Sequence, residues 1–279
     1  MFRSEWYRIQ CRWKVWTVAW GIMVAFMVQG LWSYAAQTAY PHSEANAYQA
    51  YLSALGSGPS AYWIGILPLI AALIAADSQA WDRRTGSLRF YLPRASRLHY
   101  IWGKWLAVVA FTAAVVAAGL AVTGIMAAIA FPTTLPPWHR VHGIATFSVA
   151  GAPASYHNPF PVFAHALFFA HPLVYAALVA GLVILSACVW ASIGLVLSLW
   201  STNIYVVLAG PWVVYMVATV LMALPMVLAT PWSPLVMSGP LVNSFVESAW
   251  VALAYWGLAL GFLGAVLTAH FRHRRDFVD

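Results

Sequence analysis

Residues 77 to 105 read DSQAWDRRTGSLRFYLPRASRLHYIWGKW. This stretch holds Arg83, Arg84, Arg89, Arg94, Arg97 and Lys104, in a chain of 279 residues with only 14 Lys and Arg and 7 Asp and Glu. Apolar runs long enough to cross a bilayer flank it on both sides. Short loops on the cytoplasmic face hold the excess of Lys and Arg, so this segment is expected to be a cytoplasmic loop. Its interior reads as structured. Asp82 can cap a first turn, and Gly86 permits a left-handed backbone at a turn. Leu88, Tyr91 and Leu92 then recur at helical spacing, which predicts a short amphipathic helix up to Pro93. Such a helix lies along the membrane surface or docks into a partner. The same cations also serve to fix topology and to touch lipid phosphates, which needs no partner.

Composition sets the class. Hydrophobic residues make up 63% of the chain and charged residues 8%, as in membrane proteins of several spans. The polar stretches are all loop-sized, so no sizeable soluble domain is expected. The formal charge of +7 sits beside the spans and meets anionic lipid, so no nucleic-acid partner is expected. Cys11 and Cys188 are far apart and have no metal-site spacing, and no disulfide is expected. The N-terminus does not read as a cleavable signal: the charged region is long and the apolar run after it is span-length.

Taken in order, residues 1–14 place Phe2, Trp6, Ile9 and Trp13 on one helical face, with Arg3, Arg8, Arg12 and Lys14 largely off it. This predicts an interfacial helix whose aromatics enter the headgroup boundary, beside the simpler reading of a positive flank to the first span. The first span is expected at 15–36. A polar loop with a short central helix follows on the outer side, and the second span runs over 61–80 with Pro68 inside it. The coupling loop occupies 81–102 and the third span 103–131. Small residues such as Ala113, Ala117 and Gly119 let another helix approach that span closely. The outer loop 132–170 holds six prolines and His139, His142, His157 and His165, and short surface helices are expected there. Spans at 172–199 and 204–229 follow. Residues 230–247 are too short and too broken by proline for a span, which suits a re-entrant pair on the outer side. The last span is 248–270 and the tail 271–279. The fold class is therefore an all-α membrane protein of six transmembrane helices, forming a single transmembrane domain. With both termini cytoplasmic, Arg140 is the one Lys or Arg outside, which fixes the orientation in the cell membrane.

Catalytic chemistry has few candidates. No G-x-x-x-x-G-K-[ST] phosphate loop is present, since Gly103-Lys104 is followed by Trp105. No H-E-x-x-H occurs, and no pair of carboxylates lies within a span. The outer histidines, with His171, are open to two readings: a metal or haem site, or interface residues that cap helices and bind water. Asp77 is a functional candidate or pairs with Arg83 or Arg84, and the pairing is favoured. Glu247 is a gate or ion-contact residue or a solvated helix start. Most tryptophans and tyrosines read as interfacial belts.

The order of residues in the opening stretch carries a resemblance. An acid, then Thr85-Gly86-Ser87-Leu88, Leu92-Pro93, Arg97 and Gly103-Lys104 leading into a span is similar to the coupling loop of the ABC-2 type transporter permeases. Thr85 precedes Gly86 here, whereas the family usually has Gly followed by Thr. The span layout resembles that family as well: an interfacial N-terminal helix, a coupling loop between the second and third spans, and a broken outer hairpin before the last. The resemblance implies an ATPase-docking segment made of Asp82, Arg83, Arg84, Thr85, Gly86, Leu88, Leu92, Pro93, Arg94 and Arg97. It implies an outer gate at Pro231, Pro234, Gly239, Pro240, Phe245 and Glu247. It further implies two ABC ATPase subunits per complex, which carry the ATP and Mg, and a second permease copy or homologous permease. The chain would then have no catalytic activity and no cofactor of its own. Sparse buried charge suits a hydrophobic or amphiphilic cargo (a peptide antibiotic, a drug or a lipid), and such permeases often serve antibiotic resistance or immunity. The alternatives are a membrane haem or metal redox protein using the outer histidines, and an ion-coupled secondary transporter. The latter calls for mid-membrane carboxylates or an internal repeat, and neither is visible.

Overall fold

The structure is a computed structural model. It describes residues 2–38, 46–55, 62–75, 78, 82, 84–85, 96–134, 138–141, 144–147, 158–159, 165–201, 203–222, 234–238 and 249–273. Five helices are long and apolar enough to cross a membrane, over Trp13–Ala36, Leu98–Ala130, Pro172–Leu197, Ile204–Leu221 and Trp250–Arg272. This is a multi-pass membrane protein, because so many lipid-length apolar helices have no other solvent that satisfies them.

The N-terminal helix α1 (Phe2–Cys11) turns at Arg12 into α2 (Trp13–Thr38). The expected interfacial helix thus stops before Lys14, which belongs to α2. The middle of its apolar face is turned to the protein, while Phe2 and Trp13 are exposed. Ile9 is buried, and the Trp6 ring meets Phe111 edge-on at 5.1 Å. After the described part of the polar loop comes α3 (Ala47–Ala54), capped by Asn46, whose side chain accepts from the Tyr48 and Gln49 amides. Next is α4 (Tyr62–Ala75), with Pro68 inside it. At 14 residues α4 is roughly 21 Å long, shorter than the hydrocarbon core.

The longest helix, α5 (Arg97–Ala130), begins six residues before the expected start of the third span. Ser96 decides this, because its hydroxyl accepts from the His99 amide at 3.3 Å and caps the helix there. The expected coupling loop therefore gives its last six residues to α5.

The outer loop differs from its expected short helices. Strands β1 (Trp138–Val141), β2 (Ile144–Phe147) and β3 (Asn158–Pro159) form a small antiparallel sheet in that order. Trp138 pairs with Phe147 and Val141 with Ile144, leaving only His142 and Gly143 between the strands. Aromatic and β-branched residues favour a pleated surface, and a two-residue connection with glycine favours a hairpin. Pro159 lies on an edge strand, where a missing N–H is tolerated. Among the described residues of this loop, helix appears in α6 (His165–Ala170), which is one short helix of the kind expected.

Helix α7 (Pro172–Leu197) is central, packing against α4 and α5 as well as α8 (Ile204–Met222) and α10 (Ala249–His273). Pro172 opens α7 at a position where its missing N–H costs nothing. Polar and aromatic contacts tie these helices together. Trp105 Nε1 donates to Ser192 Oγ at 3.0 Å, and Ser192 Oγ donates to the Cys188 carbonyl at 2.7 Å. The Trp190 ring meets both Tyr215 and Trp256. Gly119 lets α2 approach α5 closely: a Cβ there would stand 2.0 Å from Met23 Cε. The short helix α9 (Pro234–Ser238) packs on α4, α7, α8 and α10, and Trp256 Nε1 donates to the Met237 carbonyl at 3.0 Å.

The molecule has two unlike ends. Phe271 near the end of α10 touches the Tyr100 ring at the start of α5, and His270 touches Trp200 in the turn after α7. Arg84 lines one recess with Asn203 and Tyr205. The start of α5, Arg84, the α7–α8 turn and the end of α10 therefore share one end, and Arg8 of α1 reaches it through Asp82. Helix α3 marks the other end, where the Ala47 amide donates to the Pro132 carbonyl at 2.9 Å. Residues 37–60, expected as an outer loop with a short helix in its middle, contain that helix in α3, and it is one of the most buried pieces of the fold: Ala50, Leu52, Ala54 and the following Leu55 are fully enclosed. Tyr34 reaches it from α2, its hydroxyl donating to Gln49 Oε1 at 2.9 Å.

Candidate functional site

At the charged end, four ionised side chains and a tyrosine meet in the protein interior. Asp82 is fully buried. Arg8 of α1 donates to Asp82 Oδ1 at 2.6 Å, and the Tyr100 hydroxyl donates to Oδ2 at 2.7 Å. Lys104 Nζ also donates to Oδ2. Arg8 turns its other guanidinium nitrogen to Glu5 Oε1 at 2.8 Å, and Glu5 Oε2 lies 3.6 Å from Lys104 Nζ. Lys104, itself fully buried, further donates to the Tyr100 hydroxyl at 3.1 Å and sits over the Tyr100 ring.

Helical spacing builds this arrangement locally. Glu5 and Arg8 are three apart on α1, and Tyr100 and Lys104 four apart on α5, so each pair shares one face. Asp82 supplies the third segment. Two carboxylates balance two cations, so the cluster is formally neutral. Burial by itself pushes the Asp82 carboxyl up; the Lys104 ammonium and the hydrogen bonds from Arg8, Lys104 and Tyr100 outweigh it and hold the carboxyl down at about 2. The result is a fixed ionic staple. It joins residues 74 apart in sequence (Arg8 and Asp82) and 22 apart (Asp82 and Lys104). Such an arrangement offers no free nucleophile. It holds Asp82 to α1 and α5.

Asp82, expected to cap a first turn, gives its carboxylate to three donors inside the fold. Arg8, one of the cations set largely off the apolar face of the N-terminal helix, faces Asp82 and Glu5 in charge-assisted hydrogen bonds.

Other expected residues fall in several places. Arg84 and Thr85 are exposed, and Thr85 Oγ1 donates to the Asp82 carbonyl at 3.4 Å. Arg97 is the first residue of α5. Arg83, Gly86, Leu88, Leu92, Pro93 and Arg94 lie outside the described residues, as does Asp77 with its expected pairing. Of the expected gate residues, Pro234 is buried at the start of α9, and its carbonyl accepts from Ser238 Oγ at 2.6 Å. Pro231, Gly239, Pro240, Phe245 and Glu247 lie outside the described residues. His139 sits in β1, His165 in α6 and His171 before α7; among the described residues no group of three His, Cys, Asp or Glu could hold a metal ion.

Glu5, Tyr100 and Lys104 were absent from the expected site. One signal could have found Glu5. It is the single acid among residues 1–14, and it falls on the same helical face as Ile9 rather than among the exposed cations. No protein-family model, curated protein or solved structure matches this chain.

Proposed function

We propose that this chain is the membrane-spanning permease subunit of an ATP-driven exporter. ATP is hydrolysed on a separate pair of ATPase subunits, and a second permease copy or homologous permease completes the pathway. The observation that carries this reading is the stapling of Asp82. An Arg-rich segment fixed by ionic hydrogen bonds to α1 and α5 is suited to passing a push from a docked partner into two helices at once. Breaking such a buried pair costs about 3–5 kcal/mol, so the three segments move together rather than slip. Exposed Arg84 and Thr85 beside Asp82 present the surface a partner would meet.

In this reading α4 belongs to a sixth span, and the charged end is cytoplasmic by the positive-inside rule. The described charges gather at that end, apart from Arg140 in β1. The pathway is thus left apolar, which suits a hydrophobic or amphiphilic cargo such as a peptide antibiotic, a drug or a lipid.

The test is affinity purification of the tagged chain from its native membrane in mild detergent, with ATPase activity assayed in the eluate. An ATPase should co-purify with the wild type and be lost with the double variant Arg94→Glu, Arg97→Glu. An eluate without ATPase activity would remove the partner that the reading requires.

A further inference from the structure

Beside the ionic cluster, a recess of about 380 Å³ opens between α1 and Ser78. It sits at headgroup depth: its α1 wall ends at Arg12, and the first apolar helix of span length begins at Trp13. Glu5 and Ser78, which both line it, are 3% and 6% exposed. Among the described residues, neither Glu5 Oε2 nor Ser78 Oγ has a hydrogen-bond partner. Lys104 Nζ lies 3.6 Å from Oε2, close enough for an ion pair and too far for a hydrogen bond.

The other polar groups of the wall do not supply the missing donor. Arg8 bonds to the other Glu5 oxygen and to Asp82, and Tyr7 and Cys11 bond to each other. Arg12 is half-buried along the same wall. Buried oxygens are normally paired, so two unpaired ones in one recess point to a donor from outside the chain. The charge of that donor is constrained too. The cluster behind the recess is neutral, with Glu5 and Asp82 balancing Arg8 and Lys104. A bare cation would add an uncompensated charge beside Lys104, and a bare anion would meet the Glu5 carboxylate. A zwitterion adds no net charge. Its ammonium end suits Glu5 and Ser78, and its anionic end suits Arg12.

We propose that this recess binds a phosphoethanolamine group, with the primary ammonium donating to Glu5 Oε2 and Ser78 Oγ and the phosphate meeting the Arg12 guanidinium. The group is either the headgroup of a bilayer lipid or part of a soluble compound. A phosphocholine group carries the same two charges but no N–H, so it leaves both oxygens unpaired. The inference needs only membrane residence, so it stands or falls separately from the exporter reading.

The test is native mass spectrometry of the full chain released from nanodiscs that hold equal amounts of phosphatidylethanolamine and phosphatidylcholine with matched acyl chains. The wild type should retain the ethanolamine lipid about tenfold over the choline lipid. Ser78→Ala removes an unpaired hydroxyl, so it should keep the wild-type melting temperature and lose about 3- to 10-fold of that preference. Glu5→Gln should lose more, and Ser78→Ala carries the test if this cluster variant fails to fold. Soluble phosphoethanolamine, added to the chain in phosphatidylcholine nanodiscs, separates the two sources. A rise in melting temperature that Ser78→Ala diminishes assigns the site to a soluble compound. No rise, with the ethanolamine lipid retained, assigns it to the lipid headgroup. Equal retention of both lipids with no rise from the soluble probe would overturn the proposal and leave the two oxygens to water. A preference unchanged in Ser78→Ala would also overturn it, because the lipid would then bind elsewhere.

Discussion

Asp82 is the residue on which the charged end depends. Its carboxylate receives Arg8, Tyr100 and Lys104 at once, with no water-exposed surface to fall back on. Asp82→Ala leaves Lys104 with the Tyr100 hydroxyl and, as a negative partner, the more distant Glu5 at 3.6 Å, and should destabilise the protein by about 3–5 kcal/mol. The exposed Arg84→Ala should stay within about 0.5 kcal/mol. Thermal melts in detergent compare the two, and equal effects would mean that the cluster contributes nothing. Adding Lys104→Met to Asp82→Ala should cost less than the sum of the single changes, because the Glu5–Arg8 pair remains balanced. The pH dependence has a definite sign. The folded carboxyl sits at about 2 against about 3.9 when unfolded, so its contribution is fully present above the unfolded value and is lost as pH falls through about 2. Stability in wild type should therefore show a fall between about pH 4 and pH 2 that is missing in Asp82→Asn. Identical acid profiles for the two proteins would contradict the assignment.

At the scale of elements, α3 and the α2–α5 contact make the sharpest predictions. Helix α3 has eight residues and no length with which to stabilise itself, so its cap and anchors hold it. Asn46 accepts from the Tyr48 amide at 2.8 Å and donates to the Thr134 carbonyl. Asn46→Ala removes both and should cost about 1–2 kcal/mol, read as a lowered melting temperature. Faster hydrogen exchange over 47–54 should accompany it, and unchanged exchange there would show that packing alone holds α3. Gly119 tests close approach. The obstacle to a Cβ is the flexible end of Met23, and alanine is the better helix former, so Gly119→Ala should be nearly neutral. Gly119→Leu also meets Trp20 and should cost about 1–3 kcal/mol through overpacking. A neutral leucine variant would mean that α2 and α5 are not held at this distance.

Across the whole molecule, the two native cysteines report topology. Cys11 is free and exposed near the charged end, while Cys188 is free and buried in α7. A membrane-impermeant maleimide should label Cys11 in inverted vesicles and leave it unlabelled in intact cells, with Cys188 protected in both. Labelling of Cys11 from outside intact cells would invert the proposed orientation and put the Arg-rich segment out of reach of a cytoplasmic ATPase.

Membrane residence and the positions of the long helices were legible in the chain itself. Apolar runs of 20 or so residues have one stable solution in lipid, because each backbone group must be satisfied within its own segment. Proline at 172 and serine at 96 are likewise local signals, the first read at the expected start of a span and the second overlooked. The Trp138–Phe147 hairpin also had a local signal, aromatic and β-branched residues around a two-residue connection with glycine, within a stretch crowded with prolines. Two features were decided only by the tertiary structure. Residues 47–55 look like a polar loop by composition, yet they are enclosed because α2, α5 and α7 close around them. Asp82 reads as a cap or docking residue in its own segment. Its partners come from positions 8, 100 and 104, and the attraction that turns it inward exists only once three segments meet in a medium of low dielectric.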